Sequence, residues 1–247
     1  MAYPYELDWV RLPLEGAHNV RELGGYPVAG GGQTRYHRFL RSDGLGGLTP
    51  ADAEFLHAYG VRLVLDLRDP DEVAMNPDVS LGDDVAMANV QLLDVDISDK
   101  EALERRFAAE TPTYEFFYDM VLSKKPQLAR CFRLIAEAPK DCCVLFHCAV
   151  GKDRTGILAM LLMALAGCDK WDCVANYVQT RANLMRHDWY AAYWERNDPR
   201  DPLNDSPAYA MEFTWDQVDE AGGVEAFLRD CGVTDDELVA VRDHLLA

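Results

Sequence analysis

The decade "HCAVGKDRTG", residues 147 to 156, gathers a cysteine, two glycines, a lysine, an aspartate and an arginine between two apolar runs. Burial alone selects no such mixture. The run Cys142 to Phe146 reads as the end of a buried strand, and Ile157 to Ala166 as a nearly all-apolar helix closed by Gly167. The residues between must form a tight loop at the positive end of that helix, with backbone amides turned into one concavity. Such a loop is an anion site. Gly151 lets a ligand approach the backbone closely, and Arg154 offers a planar fork suited to two phosphate oxygens.

Cys148 falls at the floor of this cradle, where loop amides and the helix end favour a thiolate over a thiol. A thiolate facing a bound phosphate is a nucleophile placed for in-line attack. The expected reaction is phosphoryl transfer to sulfur followed by hydrolysis of the cysteinyl-phosphate. Ala149, Val150, Gly151 and Lys152 supply the cradle, and Thr155 offers a hydroxyl to the departing thiolate. His147 is expected to orient the loop by hydrogen bonding rather than act as a base. The chemistry requires no metal and no cofactor. The nucleotide-binding loop G-x4-G-K-[ST] does not fit, because Phe146 stands at its first glycine and Asp153 follows the lysine.

A leaving alkoxide or phenolate needs a proton, so a carboxylic acid is expected nearby. Asp153 lies inside the loop. Asp66 ends a strand whose carboxyl edge is a natural place for active-site groups. Asp94 and Asp96 lie upstream, in a stretch suited to a mobile acid loop. Asp66 has a competing structural use as a partner of Arg68 or Arg41.

The elements that must hold these residues are legible from capping and periodicity. "YPV" and "TRYHRFLRS" flank "AGGGQ" as a hairpin. Thr49 caps a helix with Pro50 at its first position and Gly60 past its end. "VRLVLDLR" (61 to 68) is a buried strand, and 87 to 95 a further one. Ser98 and Glu101 form a capping box for a helix to about Ala109. "TYEFFYDMVLSK" and "PQLARCFRLIAEA" read as helices, as does the rest of the chain after Gly167, apart from a polar linker around 195 to 207. Thr234 opens the last helix with a second capping box. The fold class is α/β: one domain over 1–247, a central sheet flanked by helices, with a C-terminal helical extension over about 207–247.

The chain has 247 residues and a formal charge of −18, which excludes an ordinary nucleic-acid binder and disfavours stable docking on anionic membranes. Its seven cysteines show no disulfide-framework spacing, and Cys142 and Cys143 should face opposite sides of a strand. The N-terminus lacks a basic head followed by an apolar stretch, and no apolar run is long enough for a bilayer of about 30 Å. A cytoplasmic location is expected.

With its surroundings, the loop resembles the signature of the cysteine-dependent phosphatases, and its internal lysine and aspartate are similar to those of PtpB-like bacterial tyrosine-protein phosphatases. "NVRELGGY" (19 to 26) resembles that family's Asn-x-Arg-x-x-Gly-Gly segment, "RFLRSDGLGGLT" its Arg-Ser strand, "GVRLVLDLR" its Asp-Leu-Arg strand and "GGVEAFLRDCGVT" its C-terminal helices. The resemblance implies a phosphatase-like fold and dephosphorylation of phosphotyrosine. It also implies breadth towards phosphoserine, phosphothreonine and soluble phosphoinositides, with Lys152 meeting a second phosphate. The family pattern favours Asp153 and Asp66 as acid. The stretch 96–125 is short beside the long helical lid of the best-known members. Two other classes stay open: a rhodanese-like sulfurtransferase, and a catalytically silent module that binds phosphorylated proteins.

Overall fold

The computed structural model describes residues 10–93, 113–188, 190–192 and 205–246. Five strands form one sheet in the order β1 (Arg21–Glu22), β2 (Phe39–Ser42), β5 (Cys143–His147), β3 (Val61–Asp66) and β4 (Ala86–Asn89). The last four run parallel, and β1 is antiparallel to β2. The register sets Ser42 against His147, His147 against Asp66, and Asp66 against Asn89. These four residues therefore line the carboxyl edge of the sheet, where open α/β sheets place their ligands. The loop under discussion begins one residue beyond that edge.

Each face of the sheet carries its own core, because side chains alternate along a strand. Val144 and Phe146 join the larger cluster, and Cys143 and Leu145 the smaller one. Cys142 and Cys143 thus take opposite faces. All seven cysteines are buried and unpaired. Helix α1 (Pro50–Tyr59) covers the smaller face, with Thr49 and Asp52 in the expected box and Gly60 left-handed at its end. Helix α2 (Pro70–Met75) follows β3, capped by Asp69.

The other face is covered by α3 (Thr113–Leu122), α4 (Lys125–Glu137), α5 (Asp153–Ala166) and α6 (Lys170–Leu184), then α7 (Ala208–Glu220), α8 (Val224–Cys231) and α9 (Asp235–Leu246). Helix α5 runs through the middle and is buried on nearly all sides, and Gly167 closes it at φ 90°. The last three helices are not peripheral to this core. Met211, Leu228 and Val241 belong to the same cluster as Val144 and Leu161. Thr234 and Glu237 exchange the reciprocal bonds expected of their box.

Two local expectations change. The glycine-rich turn forms, but the paired strands flanking it do not: Pro27 and Gln33 make an isolated bridge. The strand partner of β2 is instead Arg21–Glu22. Backbone bonds cross the turn from Gly25 N to Thr34 O and from Thr34 N to Tyr26 O, and the Thr34 hydroxyl adds to them, accepting from Tyr26 N and donating to Leu23 O. The strand expected at 87 to 95 stops at Asn89, after which Val90 and Leu92 fold across the end of β3 onto Asp66 O and Leu67 O. The helix expected from Ser98 lies outside the described residues, as does most of the polar linker. Among the described residues no helix is long and apolar enough to cross a membrane.

Candidate active site

The loop from Cys148 to Asp153 is shaped by what its carbonyls do. Ala149 O accepts from Gly44 N at 3.0 Å. Val150 O and Gly151 O each accept from Asn19 Nδ2 at 3.0 Å. Gly151 O and Lys152 O accept from Arg41 Nη2 at 2.8 and 3.2 Å. Four successive carbonyls are therefore drawn outward onto the scaffold. In trans peptides each following N–H points the opposite way, and there is no cis bond among the described residues. The amides of Val150, Gly151, Lys152 and Asp153 accordingly face the concavity above Cys148. The first turn of α5 adds to them, since Lys152 at its N-cap provides no side-chain cap.

Gly151 is required twice over. Its φ is 69°, and a Cβ there would stand 2.3 Å from Ser42 O. Gly156, the last residue of the decade, has a separate use: a Cβ there would come within 2.9 Å of the Tyr177 ring.

Cys148 is buried beneath this cradle. Burial opposes the charged forms of Arg41 and Arg154, and a thiolate at Cys148 would favour both. Arg154 is held bidentately by Glu72, with Nη2 to Oε1 at 2.9 Å and Nη1 on Oε2. Glu72 itself stands in the first turn of α2, where Asp69 N also donates to it at 3.0 Å. Burial opposes its ionisation, but the Arg154 guanidinium outweighs burial and brings its carboxyl down to about 2.

Asp153 opens α5. Tyr118 OH and Tyr177 OH lie 3.1 and 3.2 Å from its Oδ1, and the two hydroxyls also bond one another. Burial pushes both phenols well above their usual range, so they remain neutral donors. Their contacts fall on Oδ1. Asp66 is differently placed. Arg68 takes both of its oxygens, Nε to Oδ1 at 2.9 Å and Nη2 to Oδ2 at 2.8 Å. The structural use of Asp66 is the one seen, with Arg68 rather than Arg41 as partner.

Asp66, Asp78 and His147 converge as a metal site would. The Arg68 guanidinium already bridges the two carboxylates, reaching Asp78 at 2.9 Å, so the place of a cation is taken. His147 Nε2 lies 3.0 Å from Asp78, and its Nδ1 lies 3.1 Å from Cys148 O. The ring is thus tied to the start of the loop, and it is fully buried.

Lys152 is only 5 % exposed. Its ammonium donates to Asp205 O at 2.8 Å and lies 3.4 Å from Asp153. The expected open contact with a second phosphate is therefore occupied by the chain itself. Thr155 Oγ1 is buried without a hydrogen-bond partner. Asp94 and Asp96 lie outside the described residues.

Three groups escaped sequence reasoning. Glu72 sits in a capping box with Asp69, which by itself signals only a helix start. Asn19 stands in the quoted "NVREL" segment but lacks any local sign that its amide serves a loop far along the chain. Tyr177 lies on the buried face of α6 and reads as core.

The Glu72 pair yields a measurable expectation. Glu72→Gln should cost about 3 kcal/mol of stability, because removing one partner leaves Arg154 buried and uncompensated. The sign with pH follows from the lowered carboxyl: the contribution is complete above the unfolded value near 4.5 and is lost as pH falls towards about 2. Thermal unfolding at pH 7 and pH 2.5 should show a wide gap between wild type and variant at the first and a narrow one at the second.

A thiol under an amide-lined cradle, with a clamped guanidinium on its rim and at the carboxyl edge of a parallel sheet, defines a site built for oxyanion chemistry. The model of the tyrosine phosphatase family matches residues 12–247. A tyrosine-protein phosphatase of Nostoc commune is 33% identical over 219 residues, 84% of this chain and 74% of its own. A Cupriavidus necator protein, named provisionally as a tyrosine-protein phosphatase, is 28% identical over 248 residues, 96% of this chain and 88% of its own. The crystal structure of P. aeruginosa TpbA aligns over 87% of this chain and 91% of its own, at 14% identity and a TM-score of 0.43, too distant to bear on function. The chain belongs to the tyrosine phosphatase family, and it is a phosphatase.

Proposed function

We propose that the enzyme hydrolyses phosphotyrosine-type monoesters through a cysteinyl-phosphate on Cys148. The observation that carries this reading is the outward accounting of the four loop carbonyls, which leaves their partner amides converging on the space above the thiol. The phosphate's equatorial oxygens bind those amides and the Arg154 fork, which Glu72 holds in one orientation. The thiolate attacks phosphorus in line as the P–O bond to the leaving group breaks. Asp153 gives a proton to the departing oxygen. Water then attacks the cysteinyl-phosphate, Asp153 takes a proton from it, and phosphate leaves as the thiolate re-forms. Thr155 Oγ1, buried and unpartnered, is available to that thiolate.

The geometry supports monoesters best. Activity on phosphoserine, phosphothreonine and soluble phosphoinositides belongs to the same proposal in weaker form, since Lys152 is engaged by Asp205. Hydrolysis of para-nitrophenyl phosphate in the presence of a chelator, assayed beside thiosulfate:cyanide sulfurtransfer, tests the class. Hydrolysis without sulfurtransfer is expected. The reverse pattern would establish a sulfurtransferase, and tight phosphopeptide binding with neither activity a silent module.

A further inference from the structure

Among the described residues five arginines are buried. Three of them meet carboxylates: Arg38 meets Asp141, Arg68 meets Asp66 and Asp78, and Arg154 meets Glu72. The other two, Arg21 and Arg41, are both 0 % exposed and lie side by side directly behind the loop. Every hydrogen-bond partner of this pair is neutral. Arg41 donates to Asn176 Oδ1 at 2.6 Å and to Gly151 O and Lys152 O. Arg21 donates to Asn19 O, Asn19 Oδ1, Asn176 O and Thr180 Oγ1. One asparagine, Asn176, therefore separates two buried cations.

Burying a charge without a countercharge is expensive, and burying two alike together is more so. Burial pulls Arg41 down to about 10, and burial together with the charge of Arg41 holds Arg21 well below its usual range. Asp43 is the carboxylate that favours Arg21, but its oxygens accept from His18 N, Asn19 N and Ser42 OH and bond neither guanidinium. Tyr26, Tyr118 and Tyr177 face Arg41, yet burial pushes all three phenols up and keeps them neutral. Cys148, once ionised, is the group that most favours charged Arg41.

We infer that Arg41, backed by Arg21, is a positioning and electrostatic residue of the reaction: a standing positive charge beneath the loop whose countercharge is the Cys148 thiolate and then the bound phosphate dianion. The inference rests on the proposed thiolate mechanism. Arg41 has two effects on the same atoms. Its Nη2 turns two loop carbonyls outward, which aims the amides of Lys152 and Asp153 inward. Its charge acts on the site through low-dielectric protein, where salt screens it little.

The two effects separate experimentally by comparing Arg41→Lys, which keeps the charge and loses the fork, with Arg41→Gln, which loses the charge and keeps an amide donor. The inhibition constant of tungstate, a phosphate-like dianion, is measured against para-nitrophenyl phosphate in each. Arg41→Gln should weaken tungstate at least about tenfold more than Arg41→Lys does, as expected for loss of a unit charge near a dianion. Equal losses in both would reduce Arg41 to a strut and overturn the inference. Failure of tungstate to inhibit the wild type would instead overturn the underlying mechanism. A second measurement leaves Arg41 untouched and decides the matter if the glutamine variant does not fold. In oxyanion-free buffer, Cys148→Ser deletes the countercharge and should lower the melting temperature by about 2–4 °C, a loss that tungstate restores. A melting temperature that is unchanged or higher would overturn the inference.

Discussion

Cys148→Ser is expected to lower kcat by about 10⁴-fold or more, the scale seen when a covalent nucleophile is removed. The serine hydroxyl stays protonated at neutral pH and cannot replace the thiolate as nucleophile. The cradle itself should survive, because its shape depends on Asn19, Arg41 and Gly44 holding carbonyls rather than on the sulfur. The variant should therefore still bind a phosphotyrosine peptide while failing to turn it over. A companion experiment uses the other six cysteines as internal controls. Burial pushes Cys131, Cys168 and Cys231 up to about 12 and raises Cys142, Cys143 and Cys173 as well. At pH 6 those six are thiols and inert, so iodoacetate should label Cys148 alone, read by peptide mass spectrometry. Retention of more than a few per cent of activity in the serine variant, or labelling spread over several cysteines, would refute the nucleophile.

What the sequence disclosed about this site follows from how local each feature is. The strand, loop and buried helix around Cys148 are encoded within a few residues of one another, by an apolar run, two glycines and the change of period. They appear where expected. Thr49, Gly60, Gly167 and Thr234 mark helix ends for the same reason, since caps act over three or four residues. The groups that complete the site act across long separations. Asn19 reaches Val150, Arg41 reaches Gly151, and Glu72 reaches Arg154. Nothing near any of them in sequence requires that contact; only the parallel register, which brings Ser42, Asp66 and His147 to one edge, creates it. The hairpin at 26 to 34 shows the converse. Its turn chemistry is right, but pairing between its arms goes no further than a few backbone bonds and one isolated bridge.

The acid can be identified by the leaving group. Tyrosine's phenol, with a pKa near 10, is a poor leaving group without a proton, whereas para-nitrophenol departs readily as its anion. Asp153→Asn should therefore lower kcat about 10²- to 10⁴-fold on phosphotyrosine and far less on para-nitrophenyl phosphate. The surroundings of Asp153 suit this proposed role, since the Tyr118 and Tyr177 hydroxyls approach Oδ1. Asp66→Asn makes the natural control. Its carboxylate is spent on Arg68, which also carries Asp78 and so fixes His147 at the loop's start. Its loss should weaken the fold and slow both esters by similar factors. A strong leaving-group dependence in Asp66→Asn and none in Asp153→Asn would exchange the two roles. Dependence in neither would move the search to Asp94 and Asp96, because the phenolate must be protonated by some carboxylic acid within reach of the cradle.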